Sequence, residues 1–416
     1  MINARQWQPR HSVLAVLFVT SIVSFMDRMA MSVAIPSIAL DYNLTPITMG
    51  AVMSIFFASY ALSQIPGGIM ADRFGVRRVG TVALLWWSAF TAVTGAAGNL
   101  SHMLWARLLF GFGEGVYPTC AFKAVALWFP KPERATANAI YLAAGSIGAA
   151  LAPLLIVPIV AYYGWRAAFY GLSIPGLLMA LLFWKVVKDR VTNEEEEAST
   201  ARPIAAESST KSSFIEVMRQ PNMLQFVVIY FFFDIAYWGL TNWLPTYLVR
   251  ARGFSMVQMG VAAALPQIAG FAGSICGGWL SDRFFKNNRR IPIIAAQLAS
   301  AICLYLTFTT TSVALVVVYQ VIAGFSLNLF FTAFWAVPMT TVPVQRMGLT
   351  TGIVNTAGQI AAFLSPILVG YLVGSSGGNF DLTFMVLIVS LLISCVAVLS
   401  MKRLRNDEMD LRVAAQ

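Results

Sequence analysis

The sequence predicts an all-α membrane protein of twelve transmembrane helices arranged as two pseudo-symmetric six-helix halves. Three observations predict it. Of the 416 residues, 58% are hydrophobic and 11% charged, whereas soluble domains carry roughly 25% charged residues. Apolar runs of about 20 residues, each long enough to cross a hydrocarbon core as a helix, recur along the whole chain. The charged segment GGIMADRFGVRR (67–78) returns as GGWLSDRFFKNNRR (277–290) about half a chain later, which marks a duplicated half.

Taken in order, the first apolar run covers 12–38 and carries Asp27 and Arg28 within it, which argues against a removable signal peptide. The second, 47–71, ends in the segment whose glycines allow close backbone approach. Its Asp72, Arg73, Arg77 and Arg78 are too polar to enter lipid. Spans follow at 79–97 and 102–129, then at 139–162 and 167–187, the last two joined by YYGWRAAF. The composition then changes to Glu194–Glu197 among Ser and Thr, so 188–221 reads as a cytoplasmic linker between an N-terminal half (1–187) and a C-terminal half (222–401). Spans at 223–249, 257–280, 291–310, 313–341, 348–373 and 382–401 complete the second half, and 402–416 reads as a cytoplasmic tail.

The net charge of +10 does not point to nucleic acid, because the basic residues sit in short links between apolar runs. With the N-terminus inside, roughly 22 Lys and Arg fall in cytoplasmic segments and about three (Arg166, Arg250, Arg252) outside, a positive-inside bias that places both termini in the cytoplasm. Four scattered cysteines read as packing residues, and two histidines near membrane edges offer neither a metal cluster nor a catalytic triad. No metal, no cofactor and no enzymatic activity are expected. The Asn-x-Ser/Thr matches at Asn43 and Asn99 read as chance in a bacterial protein.

Ionised side chains at mid-helix are costly, by about 2.5–3.5 kcal/mol each on insertion scales, so they are where function is sought. Arg107 and Glu114 lie seven residues apart, within ~20° of one helical stripe. Between and beside them, Gly111, Gly113 and Gly115 leave room for a neighbouring helix or a ligand. Asp27 and Arg28, adjacent on the first helix, border the same region. These four charges either pair to hold helices together or serve a ligand. A buried pair often only breaks even against apolar packing, which favours the ligand. An arginine fork suits a carboxylate and keeps its charge, whereas a partly desolvated acid titrates. Asp27 and Glu114 are therefore the expected proton-coupling groups, with Asp234 a third. Arg107, counted with Arg28 among the substrate-binding residues, acts on Glu114 and Asp27 through its charge.

Asp234, Tyr237, Trp238 and Thr241 fall on one stripe of the seventh helix and read as cavity lining. Asn355 and Gln359, one turn apart, suit substrate hydroxyls, and Tyr60 and Trp335 are further candidates. Lys123, in the cytoplasmic half of the fourth helix, either snorkels to the inner surface or serves substrate exit. Asp72, Arg73, Arg77 and Arg78, with Asp282 and Arg283 in the repeat, read as a conformational latch.

These features together resemble the major facilitator superfamily and, within it, the anion:cation symporter family of hexuronate, galactonate and sialin-like transporters. The likeness rests on MDR (26–28), GGIMADRFGVRR, ARLLFGFGEGVYP (106–118), WFPKPER (128–134), GWRAAF (164–169), NWLPTYL (242–248) and NTAGQIAAFLSPILVG (355–370), and covers nearly the whole chain. Two positions depart from it: Phe285 and Lys286 replace the glycine-bearing turn in the repeat, and Asp234 is an acid not associated with the family as a whole. The resemblance implies that Arg28 holds a substrate carboxylate. The expected protein is a monomeric, multi-pass inner-membrane symporter that imports a small organic anion, a sugar acid such as a hexuronate or aldonate, with protons by rocking its halves. An aromatic acid is the alternative. A drug exporter is disfavoured because AAGSIGAALAP (143–153) lacks the exporter glycine–proline signature, and a sensor because neither tail carries an output domain.

Overall fold

Twelve long helices build this computed structural model, which describes residues 8–130, 132–189, 214–285 and 288–402. They are α1 (Pro9–Asp41), α2 (Pro46–Phe74), α3 (Val76–Gly95), α4 (Leu100–Trp128), α5 (134–163), α6 (165–186), α7 (Met223–Arg250), α8 (Met256–Arg283), α9 (Arg290–Thr309), α10 (Val313–Thr341), α11 (Val344–Ser375) and α12 (Asp381–Ser400). α5 and α6 are the arms of one segment, Arg134–Val186, broken at Gly164, whose φ of 81° a side chain would resist. A short helix, Phe214–Met218, precedes α7. Most of the expected linker (190–213), the tail from 403 and Lys286 lie outside the described residues.

Among the described residues, nine helical segments are long and apolar enough to cross a membrane, the α5–α6 segment counting as one. α3 and α4 run beside them, α3 opening on Arg77 and Arg78 and α4 carrying Arg107, Glu114 and Lys123. Leu62, Ile174, Leu181, Ile275 and Val396 point outward and exposed, as expected of a surface solvated by lipid. Helix starts are capped locally. Thr45, Asn99 and Ser255 accept from the backbone N–H three residues on, and Pro46 occupies the first turn of α2.

Within the first half, α1 packs on α5, α2 and α3 on α4, and α3 on α6. Within the second, α7 packs on α11, α8 and α9 on α10, and α9 on α12. The second set reproduces the first, so the duplicated charged segment reflects a duplicated bundle. The glycines of α4 admit neighbouring helices rather than a ligand. A Cβ on Gly111 or Gly115 would stand 2.5 and 2.4 Å from the carbonyls of Phe56 and Tyr60 on α2, and one on Gly113 would stand 3.0 Å from the backbone of Trp87 on α3.

The halves meet through α2–α11, α5–α8 and α1–α7. Gly50 abuts the carbonyl of Pro366, Gly370 that of Pro46, and Gly260 the side chain of Val157. Ser32 Oγ donates to Asn242 Oδ1 at 2.7 Å. All these contacts lie toward the end that bears the α1–α2, α5–α6 and α7–α8 turns, and one apolar cluster crosses the seam there.

Candidate functional site

Arg28, on the middle turns of α1, is held by an aromatic box. Its guanidinium carbon lies 4.7 Å from the Phe25 ring centre, 5.2 Å from Phe56 and 4.8 Å from Tyr60. Its Nη2 donates to Glu114 Oε1 at 2.9 Å, joining α1 to α4. The same oxygen accepts from Ser24 Oγ at 2.6 Å, while Glu114 Oε2 has no partner. Glu114 is 1% exposed, yet the Arg28 side chain keeps 10% of its surface, so the pair has its open side on the cation.

Arg107 sits behind this pair. Its guanidinium shares the Phe56 ring with Arg28, at 5.3 Å, and covers Phe110 at 4.4 Å. It is 2% exposed and takes part in none of the ion pairs among the described residues. Asp27 is equally sealed. Neither of its oxygens makes a well-formed hydrogen bond, although the Trp87 indole and Thr91 hydroxyl of α3 lie beside it and Arg107 and Glu114 are within charge reach. The Thr91 hydroxyl already donates to the Trp87 carbonyl at 3.0 Å. The structure thus gathers Asp27, Arg28, Tyr60, Arg107 and Glu114, with two arginines and two acids forming one direct pair.

From the other half, α7 and α11 contribute the facing wall. The Trp238 ring lies 4.8 Å from that of Phe57 on α2, a contact across the seam, and 5.3 Å from that of Tyr237. Tyr237 is within charge reach of both Arg28 and Asp234, which links the two walls. Asp234 is 5% exposed, and its Oδ2 lies where a Cβ on Gly358 of α11 would be only 2.3 Å away. Gln359 Oε1 is buried without a donor, and Asn355 and Thr241 are half-buried. Trp335 packs at 5.2 Å on Tyr230, which flanks Asp234.

The charged turns sit at the other end of the bundle. Asp72 accepts from Lys123 Nζ of α4 at 2.7 Å, and the same ammonium donates to the Ala71 carbonyl at 2.8 Å, so Lys123 reaches the last turn of α2 and caps it. In the repeat, Asp282 pairs with Arg289 at 3.1 Å. Arg77 Nε donates to the Trp184 carbonyl and its backbone N–H to Asp189, while Arg73 lies over Phe74. Arg78 and Arg283 are exposed. Apart from Asp189, which stands just past the first half, each of these partners belongs to the same half as the residue it holds.

The sequence reading named Tyr60 but missed Ser24, the Phe25 and Phe56 rings of the box, and Tyr141 of α5, which lies within reach of Arg28 and Glu114. Ser24 had a signal, because it stands one turn before Arg28 on the same helical face. The ring residues had none, since aromatics in such helices usually only pack.

Two duplicated helical bundles that carry buried charged and polar side chains at mid-height on their facing helices fit a solute transporter rather than an enzyme. The chain belongs to the Major Facilitator Superfamily, whose pattern matches residues 17–366. It is 34% identical over 393 residues to the probable sulfoacetate transporter SauU of Cupriavidus necator, covering 91% of this chain and 90% of that protein. It is 33% identical over 396 residues to the probable galactarate/D-glucarate transporter GudP of Bacillus subtilis, covering 88% and 86%. A bacterial homologue of the human lysosomal transporter Spinster, solved inward-facing and unoccupied, superposes with a TM-score of 0.78 at 19% identity over 95% of this chain and 96% of that one. This protein is accordingly a multi-pass transporter of the bacterial inner membrane.

Proposed function

We propose that the chain is a proton-coupled symporter that imports a small organic monoanion, a sugar acid such as a hexuronate or aldonate. The observation that carries the reading is the Arg28–Glu114 pair, in which a buried acid occupies a cation that keeps an open side. Protonating Glu114 frees the Arg28 fork for a substrate carboxylate, and deprotonation closes it again. Asp27 is the second proton-coupling group. Arg107, sealed behind Phe56, tunes both acids through charge without touching substrate. Tyr60, Tyr237, Trp238, Thr241, Trp335, Asn355 and Gln359 line the path of the remainder of the molecule. Alternating access arises by rocking the halves about this level, and the contacts at the α1–α2 end correspond to an inward-open state.

Labelled hexuronate or aldonate should accumulate in proteoliposomes when the outside is made acidic, and should only equilibrate when the gradient is collapsed. Accumulation indifferent to the gradient would remove the proton coupling. Accumulation of aromatic acids alone would replace the substrate class.

The charged turns act on the rocking step. Asp72 is a mostly exposed partner of Lys123, so the pair contributes about 0–1 kcal/mol to stability. Asp72→Asn should leave substrate affinity and melting temperature near wild type while lowering transport turnover. An affinity loss at unchanged turnover would move Asp72 into the binding site.

A further inference from the structure

We infer that Asp234 selects the substrate by the end opposite its carboxylate, admitting monoanions whose far end carries hydrogen-bond donors and rejecting molecules with a second anionic group. The inference rests on the carboxylate-at-Arg28 reading above and narrows its substrate class.

The charges of the two walls are unequal. Arg28 and Arg107 stand at mid-helix in the first half, whereas α7 to α12 hold no Lys or Arg outside their terminal turns, and Asp234 is the one ionisable acid in their interiors. The other two mid-membrane acids have company. Glu114 takes two hydrogen bonds, one of them from the Arg28 cation, and Asp27 has Arg107 within reach. Asp234 makes no ion pair and no hydrogen bond among the described residues, and its titratable neighbours are Tyr230 and Tyr237. Its carboxylate lies along the bare backbone of Gly358, and one residue on, Gln359 Oε1 is also buried without a donor. Tyr237, in reach of Arg28 on one side and Asp234 on the other, puts both groups on one path.

A wall of unsatisfied acceptors is matched by a ligand end that donates, such as the hydroxyls of a polyol chain. A second carboxylate or sulfonate brings only acceptors and a charge. Against ionised Asp234 it is repelled, and against the protonated acid its charge still lacks a counter-ion in the helix interiors of that half. Discrimination then comes from an element that works against the wrong ligand. Sulfoacetate and the aldarates, named for the two relatives above, each carry two anionic groups, so this chain is expected to part from them.

The test uses two matched pairs, each differing only in whether the far end is a CH2OH or a carboxylate: D-galactonate against galactarate, and isethionate against sulfoacetate. Binding to the purified full chain is read as ligand-dependent thermal stabilisation, titrated to apparent affinities. Wild type should bind the hydroxyl member of whichever pair it accepts at least about tenfold more tightly, and Asp234→Asn should bring the two members within about threefold by recovering the dianion. Asp234→Ser serves if the Asn variant melts early without ligand. A wild-type preference for the dianion, or an unchanged ratio in both variants, overturns the selector and leaves the organic-acid reading standing. Failure of wild type to bind any of the four overturns both.

Discussion

Arg28→Gln is expected to lose at least about 100-fold in substrate affinity, the scale of a charge-assisted bidentate contact removed together with the countercharge of a buried acid. Three rings orient the Arg28 guanidinium, at 4.7 to 5.2 Å, and they allow the cation to be desolvated while its fork stays open on one side. No second cation can replace it. Arg107 is 2% exposed behind Phe56, and the interiors of α7 to α12 hold none. The substitution also strands Glu114, whose remaining hydrogen bond comes from Ser24, so an arriving anion would meet an acid no longer offset. Arg28→Lys keeps the charge and gives up the planar fork and its stacking. It should recover part of the affinity, with a deficit of about tenfold. Calorimetric titration of the purified protein with the transported acid separates the three. Near-wild-type affinity in Arg28→Gln would mean that the carboxylate binds elsewhere.

What could be read in the chain follows from how membranes penalise charge. Asp27, Arg28, Arg107 and Glu114 stood out because each interrupts an apolar run, and the duplicated Asp72 and Asp282 turns disclosed the two halves. Spacing along α4 could place Arg107 and Glu114 on one stripe, but it could not say that Arg28, from another helix, is the cation Glu114 takes. That choice depends on α1 and α4 approaching in space. The same holds for Asp72. Its sequence neighbours are arginines, yet at the end of α2 the ammonium of Lys123 reaches both its carboxylate and the free carbonyl of Ala71, and satisfying two acceptors at once decides the pairing. Gly358 was visible only as a small residue in a longer segment. Its significance lies in the Asp234 carboxylate resting against it, a contact between α7 and α11 that no periodicity encodes.

On the proposed mechanism, Glu114→Gln should reduce gradient-driven accumulation by about 5- to 150-fold, the range set by a coupling of 1–3 kcal/mol, while counterflow exchange of substrate continues. The neutral amide can still accept from Arg28, but it no longer competes as a charge. Arg28 then stays available to the substrate, and binding becomes indifferent to pH where wild type binds more tightly on the acidic side. The sign follows from linkage: if protonation of Glu114 favours the anion on Arg28, the anion equally favours the proton. Asp27→Asn reaches the same loss from the other direction. It removes one of the two acids that share the charge of Arg107, so that cation acts on Glu114 alone and opposes its protonation. Asp27→Asn should therefore also depress affinity at neutral pH, whereas Glu114→Gln should not. Measuring exchange and accumulation in the same proteoliposomes at two pH values distinguishes the variants. Normal accumulation in both would leave these buried acids as structural charges and would require the proton to travel by another route.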